Sequence, residues 1–154
     1  MTVGTIIFIC TGNVCRSPMA EYLLRKRMGP DSGWQIESAG LLAMNGARAS
    51  AEAVQVMAED ESVDLAPHRS RILTPAMVTE ADMLVCMTPA HKGQILRSFP
   101  EASEKTFVLT EFGPEKSSTG IRDPIGCSVH IYRNIKNEID SALSDLILYM
   151  RELK

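Results

Sequence analysis

No stretch of this 154-residue chain approaches the roughly 18 consecutive apolar residues that a membrane span requires. Nor does the N-terminus pair a basic segment with a long apolar run, so the expectation is a cytoplasmic protein with no membrane partner. A basic surplus is missing as well. The formal net charge is -3, and the densest cationic run, Arg25-Lys26-Arg27, falls where a helix should end and cations complement its macrodipole, so no nucleic-acid partner is implied. Repeats, low-complexity tracts and linker-like composition breaks are absent, and the length suits one hydrophobic core; residues 1–154 read as a single domain. Zinc-type spacing is lacking, because Cys10 and Cys15 have no matching second pair of Cys or His, so neither a metal nor an organic cofactor is expected. With Cys86 and Cys127, these fit the free thiols of a reducing compartment better than a disulfide framework.

What is present is a series of short apolar runs alternating with helical patterns. Gly4 to Cys10 is a continuous, β-branched apolar run, the mark of a strand buried on both faces. Thr11-Gly12-Asn13 is a turn signal, and Ser17-Pro18 offers an N-cap and first-turn proline to a helix carrying Met19, Leu23 and Leu24. Trp34 to Ser38 reads as a short strand closed by Ala39-Gly40, after which Ser50 caps a helix with Ala53, Val54, Met57 and Ala58 on one side. Thr74-Pro75 opens a short helix, Met83 to Met87 is a buried strand, and Thr88-Pro89 starts a helix ending near Phe99-Pro100. Thr106 to Leu109 supplies a fourth strand. A polar loop around residues 113–123 then leads into a long helix whose inward face is Ile131, Ile135, Ile139, Leu143, Leu146 and Met150. The expected fold is α/β: a doubly wound, four-stranded parallel sheet with helices on both faces. Ligands of such sheets lie beyond the carboxyl ends of the strands, which directs attention to the loop after the first strand.

That loop, Cys10-Thr11-Gly12-Asn13-Val14-Cys15-Arg16-Ser17, separates a cysteine from an arginine by five residues. Five residues suffice to wrap one anion if successive N–H groups turn inward and the following helix adds its positive end. Gly12 and Asn13 best tolerate the left-handed angles that such coiling needs. Arg16 would close the ring with a bidentate grip on phosphate oxygens. A cysteine at the centre of that positive field favours the thiolate, and a thiolate beneath a phosphate cradle is a nucleophile. The same two residues also fall at this spacing by chance, as a strand-end cysteine and a surface arginine; the apolar strand before and the helix start after them are what single the loop out. A phosphocysteine route further needs an acid that then serves as a base. Asp123-Pro124, on a stiffened loop before the closing helix, is the candidate, although it equally reads as a helix-start signal.

The string Cys10 to Glu21 closely resembles the signature of the low-molecular-weight protein tyrosine phosphatases. Ser38-Ala39-Gly40, His68-Arg69-Ser70-Arg71, Ala81-Asp82 to Met87 and Asp123-Pro124 resemble further landmarks of that family in the right order. The resemblance implies Cys10 as nucleophile, Arg16 as phosphate ligand and Asp123 as general acid and then base, with the phosphate held by Thr11, Gly12, Asn13, Val14, Cys15, Arg16 and Ser17. It implies that Ser17 bonds the Cys10 thiolate and that Ser38 and His68 hold a strained Asn13. Cys15 resembles the family cysteine that captures oxidised Cys10 as a disulfide, with a small residue packed under the loop as the alternative. Cys86 reads as core and Cys127 has no assignment; His91 and His130 are expected on the surface.

The implied partner is a phosphorylated protein, with phosphate or another oxyanion in the site. Val14, Ile125 and Met44 are the candidate substrate-pocket residues. Tyrosine-specific members resemble one another in an isoleucine at the place of Val14, and protein-arginine phosphatases in a threonine. Ile125 stands where an aromatic residue commonly follows Asp-Pro, which removes a stacking partner for a phosphotyrosine ring. Thr11, Pro18-Met19-Ala20-Glu21, Gly126, Ser128 and Tyr132 look more like the arginine branch. The expectation is a phosphotyrosine phosphatase, with phosphoarginine as the close alternative. An arsenate reductase would resemble its own family only with a further pair of relay cysteines, and a silent phospho-binding module need not retain Cys10, Arg16 and Asp123 together.

Overall fold

In the computed structural model, which describes residues 2–114 and 118–153, strand β1 (Gly4–Cys10) lies inside a four-stranded parallel sheet. The other strands are β2 (Trp34–Gly40), β3 (Met83–Cys86) and β4 (Thr106–Val108), in the order β2-β1-β3-β4. Among the described residues, five α-helices connect and follow them: α1 (Arg16–Met28), α2 (Ala51–Glu61), α3 (Pro75–Glu80), α4 (Pro89–Ser98) and α5 (Val129–Leu153). The doubly wound sheet expected from the sequence is therefore present. Residues 115–117, within the polar loop expected before the closing helix, lie outside the described residues. Among the described residues, no helix is long and apolar enough to cross a membrane.

The period of two in β1 divides the core. Ile6, Phe8 and Cys10 face a layer built by α1, α2 and α5, while Ile7 and Ile9 face Val78 of α3 and Ile95 of α4. Both sides of β1 are thus covered, which is why its sequence is apolar without alternation. Strand order reverses between β1 and β3, so the loop leaving Cys10 opens into the crevice at the switch point. Strand β2 forms an edge, and that edge is guarded. Arg25 donates from Nε and Nη2 to the Ile36 carbonyl at 3.1 and 2.7 Å, and Arg71 Nε donates to the Ser38 carbonyl at 3.0 Å.

Several local expectations change. Helix α1 starts at Arg16 with Cys15 as N-cap, so Ser17 lies within the first turn, where its hydroxyl is free to serve the site rather than the helix end. Ser50 precedes α2 without a side-chain capping bond, and the buried residues of that helix are Ala53, Val56 and Met57, with Ala58 exposed. Thr74 and Thr88 do cap, each hydroxyl accepting at 3.2 Å from the N–H three residues on. Strand β2 runs on through Gly40, and β4 ends at Val108. On α5, Tyr132 is fully buried while its neighbour Ile131 is only half-buried.

Candidate active site

The loop after β1 folds back over the end of its own strand. The Asn13 N–H points to Cys10 Sγ at 3.3 Å, and the Ser17 hydroxyl lies 2.8 Å from the same sulfur, both able to stabilise negative charge there. Asn13 has φ 58° and is wholly buried, a left-handed residue that is not glycine. Gly12, the other residue expected to take such angles, does not have positive φ. The strain at Asn13 is held from several directions. Its Nδ2 donates to Ser17 Oγ at 2.8 Å and to Ser38 Oγ at 2.9 Å, its Oδ1 accepts from the Arg71 N–H at 3.0 Å, and its carbonyl meets His68 Nε2 at 2.8 Å.

The supports of Asn13 are themselves fixed. Ser38 donates to Glu21 Oε1 at 2.5 Å, and burial pushes the Glu21 carboxyl up from its ordinary value. Burial lowers His68, which keeps the ring neutral with an N–H to give the Asn13 carbonyl. At the end of β2, a Cβ on Gly40 would stand 2.5 Å from the Thr11 carbonyl oxygen and 2.8 Å from Ala43 Cβ, so only glycine lets the loop pass this close. Leu41 and Leu42 then donate backbone N–H groups to the carbonyls of Cys10 and Thr11, both at 3.0 Å.

Arg16 is buried and enters from α1. Its Nη1 donates to the Ile121 carbonyl at 2.9 Å, and its Nη2 lies 3.7 Å from Asp123 Oδ2. Asp123 itself is half-exposed, with Oδ1 accepting from the Ile125 N–H at 3.0 Å. Residues 10–16 with Asp123 and Ile125 enclose a cavity of about 170 Å³. It thus brings together Cys10, Thr11, Gly12, Asn13, Val14, Cys15, Arg16, Asp123 and Ile125 of the expected set. Ser17 sits behind Cys10 rather than on this lining. Met44 is not on it either, and its side chain is 78% exposed. A larger groove, about 880 Å³, runs along the β2 edge between Trp34, Arg25 and Arg71 without including Cys10.

Cys15 faces inward. Its Sγ lies 3.3 Å from Tyr132 Oη and 3.5 Å from Ser50 Oγ, and burial pushes its thiol up. All four cysteines are free thiols; Cys86 is core, and Cys127 lies 3.7 Å from Arg122 Nη2. His130 is exposed as expected, but His91 is not: it is buried, with Nε2 2.9 Å from Thr11 Oγ1. Burial and the nearby Arg16 guanidinium push it down to about 4, so the ring is neutral near pH 7. No local sequence signal marks it, since it is the packing of α4 against the loop that buries the ring.

The model of the low molecular weight phosphotyrosine protein phosphatase family matches residues 5–154. The chain belongs to that family. It is accordingly a cysteine-dependent phosphatase, with Cys10 and Arg16 buried in the loop after β1. Among the relatives of this phosphatase, a protein-arginine-phosphatase of Geobacillus stearothermophilus is 38% identical over 141 residues, which is 92% of either chain. The low molecular weight protein tyrosine phosphatase from T. tengcongensis superposes with a TM-score of 0.87 at 32% identity, covering 95% of this chain and 99% of that one. An arginine phosphatase mutant with a phosphorylated active site serine superposes with a TM-score of 0.85 at 34% identity, covering 96% and 95%.

Proposed function

We propose that this phosphatase removes phosphate from protein phosphotyrosine through a phosphocysteine at Cys10. The observation that carries the reading is the convergence of Cys10 Sγ, the inward Asn13 N–H at 3.3 Å, Arg16 and Asp123 on one small cavity. The phosphoryl dianion sits in the loop between residues 10 and 16, gripped by Arg16 and the helix end. The Cys10 thiolate attacks phosphorus in line, the P–O bond to tyrosine breaks, and protonated Asp123 gives its proton to the departing phenolate oxygen. Water then attacks phosphorus on the opposite side from sulfur. Asp123 takes up the water's proton, the S–P bond breaks, and thiolate and inorganic phosphate are released. The relative that carries phosphate on a serine substituted into its active site supports the covalent step.

Val14 and Ile125 give the mouth two apolar walls, which suit an aryl ring better than a guanidinium. Phosphoarginine is the second reading, favoured by the 38% identity to a protein-arginine-phosphatase and by Thr11. A reducing cytoplasm is the compartment in which Cys10 stays free, and Cys15, on the same loop, would capture it once oxidised if its thiol turned from Tyr132 and Ser50 towards Cys10. Acid-quenched protein of an Asp123→Ala variant, mixed with a phosphotyrosine peptide, should carry phosphate on Cys10 by mass spectrometry. Failure to find it there sinks the covalent route. Turnover of matched phosphotyrosine and phosphoarginine peptides by the parent protein decides the substrate, and preference for phosphoarginine makes the second reading the first.

A further inference from the structure

His91 lies outside the phosphate loop, yet its side chain reaches the loop from the start of α4. It sits in the first turn of α4, where the Thr88 hydroxyl accepts its backbone N–H at 3.2 Å and so fixes the turn on which the ring stands. The ring is 7% exposed, with Nε2 2.9 Å from Thr11 Oγ1 and Nδ1 without a hydrogen-bond partner among the described residues. A neutral imidazole carries one N–H and one lone pair. A buried N–H without an acceptor is rarer and costlier than an unmatched lone pair, which places the hydrogen on Nε2, donated to Thr11.

Thr11 is the first residue after the nucleophile and lines the cavity. Its carbonyl is already held by the Leu42 N–H at 3.0 Å, on the β2 side of the loop. The His91 bond grips the same residue by its side chain, from the β3 side. We propose that His91 is a positioning residue of this phosphatase: by fixing the Thr11 side chain it sets the orientation of the Cys10–Thr11 peptide, and with it the first backbone donor offered to the bound oxyanion. Nothing in this role transfers a proton, since the ring keeps its single N–H throughout. The consequence is felt in the binding of any tetrahedral or trigonal-bipyramidal oxyanion at the loop, and not only in turnover.

The inference rests on the phosphatase reading of the loop, and its test separates the two. Inhibition by orthovanadate during aryl phosphate hydrolysis reads kcat/KM and Ki together, and calorimetry with inorganic phosphate reads the loop without turnover. A parent protein that binds phosphate but does not hydrolyse removes the catalytic reading and leaves the His91 inference standing. His91→Ala and Thr11→Val should each lower kcat/KM and weaken vanadate and phosphate binding about five- to tenfold, the scale of one lost buried hydrogen bond. The double variant should be no worse than the worse single one. His91→Gln, whose amide reaches where Nε2 lies, should recover most of the loss, while His91→Asn, which reaches only where Nδ1 lies, should not. The inference is overturned if folded His91→Ala binds phosphate and vanadate within twofold of the parent, if the two single losses multiply, or if Asn restores binding as well as Gln does.

Discussion

The two loops that meet over the cavity are built on opposite lines. The loop from Cys10 to Ser17 is tied to almost everything around it: to β2 through Ser38, to the turn after β2 through Leu41 and Leu42, to the segment after α2 through His68 and Arg71, to the residue before α2 through Ser50, to α4 through His91, and to α5 through Tyr132. Among the described residues, the stretch from Arg122 to Cys127 that carries Asp123 is tied mostly to itself. Ile125 bonds back to Asp123, the Cys127 N–H bonds to the Pro124 carbonyl at 2.8 Å, and Arg122 approaches Cys127. Its links to the first loop are the Arg16 contacts with Ile121 and Asp123, and the Ile121 N–H also bonds the Met87 carbonyl at 2.7 Å. The difference fits the roles proposed for the two loops. Donors aimed at a dianion gain most when they need not reorganise, so the cradle is rigid. An acid that must first meet a departing oxygen and then a water is better placed on an exposed segment with few external bonds.

If this division of labour is right, substitutions in the two loops should separate activity from stability. Asp123→Ala should lower kcat on an aryl or peptide phosphate by roughly 10²- to 10⁴-fold, the usual worth of general acid–base help. Its unfolding midpoint in urea should stay close to that of the parent, within about 0.5 kcal/mol, because the carboxylate is half-exposed, accepts from a neighbouring N–H and meets Arg16 Nη2 only at a long 3.7 Å. A large stability loss would mean that the acid loop is as structural as the cradle. Asn13→Ala sharpens the contrast from the other side. It removes the amide that bonds Ser17, Ser38 and the Arg71 N–H and forces alanine into a left-handed conformation, so about 3 kcal/mol of stability should go. Activity should fall with it, by about 10²-fold, as the amides lose their aim. An Asn13→Ala protein that unfolds at the parent's urea concentration would show the bracing to be idle.

Much of the rigid half could be read from local sequence, and the reasons are physical. A strand covered on both faces must be apolar throughout, so Gly4 to Cys10 announced both the sheet and the place where it ends. A loop that coils around an anion needs a left-handed residue and a following helix, and Asn13 and Arg16 lie at those places. The readings that changed depended on packing from far along the chain. Ser17 resembles an N-cap, but the helix starts earlier because Cys15 and Arg16 are drawn inward by the loop. Ala58 and Val54 fit a helical stripe as well as Val56 does, and it is the meeting of α2 with α5 that decides which is covered. Ile131 and Tyr132 are adjacent, and only the depth available beneath Cys15 selects the aromatic for the interior. His91 is the clearest case: a polar residue one turn into a helix gives no sign of burial until α4 is set against Thr11.

The smallest effect tests whether that buried ring belongs to the rigid half in energetic terms. The folded chain holds His91 at about 4, while an unfolded histidine takes up its proton near 6.5. Because the folded value is the lower one, the unfolded state binds more protons between those limits, so stability is fully present above pH 6.5 and is lost as pH falls towards 4. His68, lowered by burial, acts in the same direction, whereas the raised Glu21 carboxyl opposes it by taking up a proton earlier in the folded state than in the unfolded one. The Arg16 guanidinium disfavours the imidazolium and Asp123 favours it, so the charges around His91 partly cancel and burial is the main cause. Replacing His91 by glutamine removes only its own share. Urea unfolding at pH 7 and at pH 4.5 should therefore show the parent losing more stability than His91→Gln, with the gap between the two proteins narrowing in acid. Parallel losses in the two proteins would mean that the ring accepts its proton in the folded state as readily as in the unfolded one, which a side chain locked between α4 and the phosphate loop should not do.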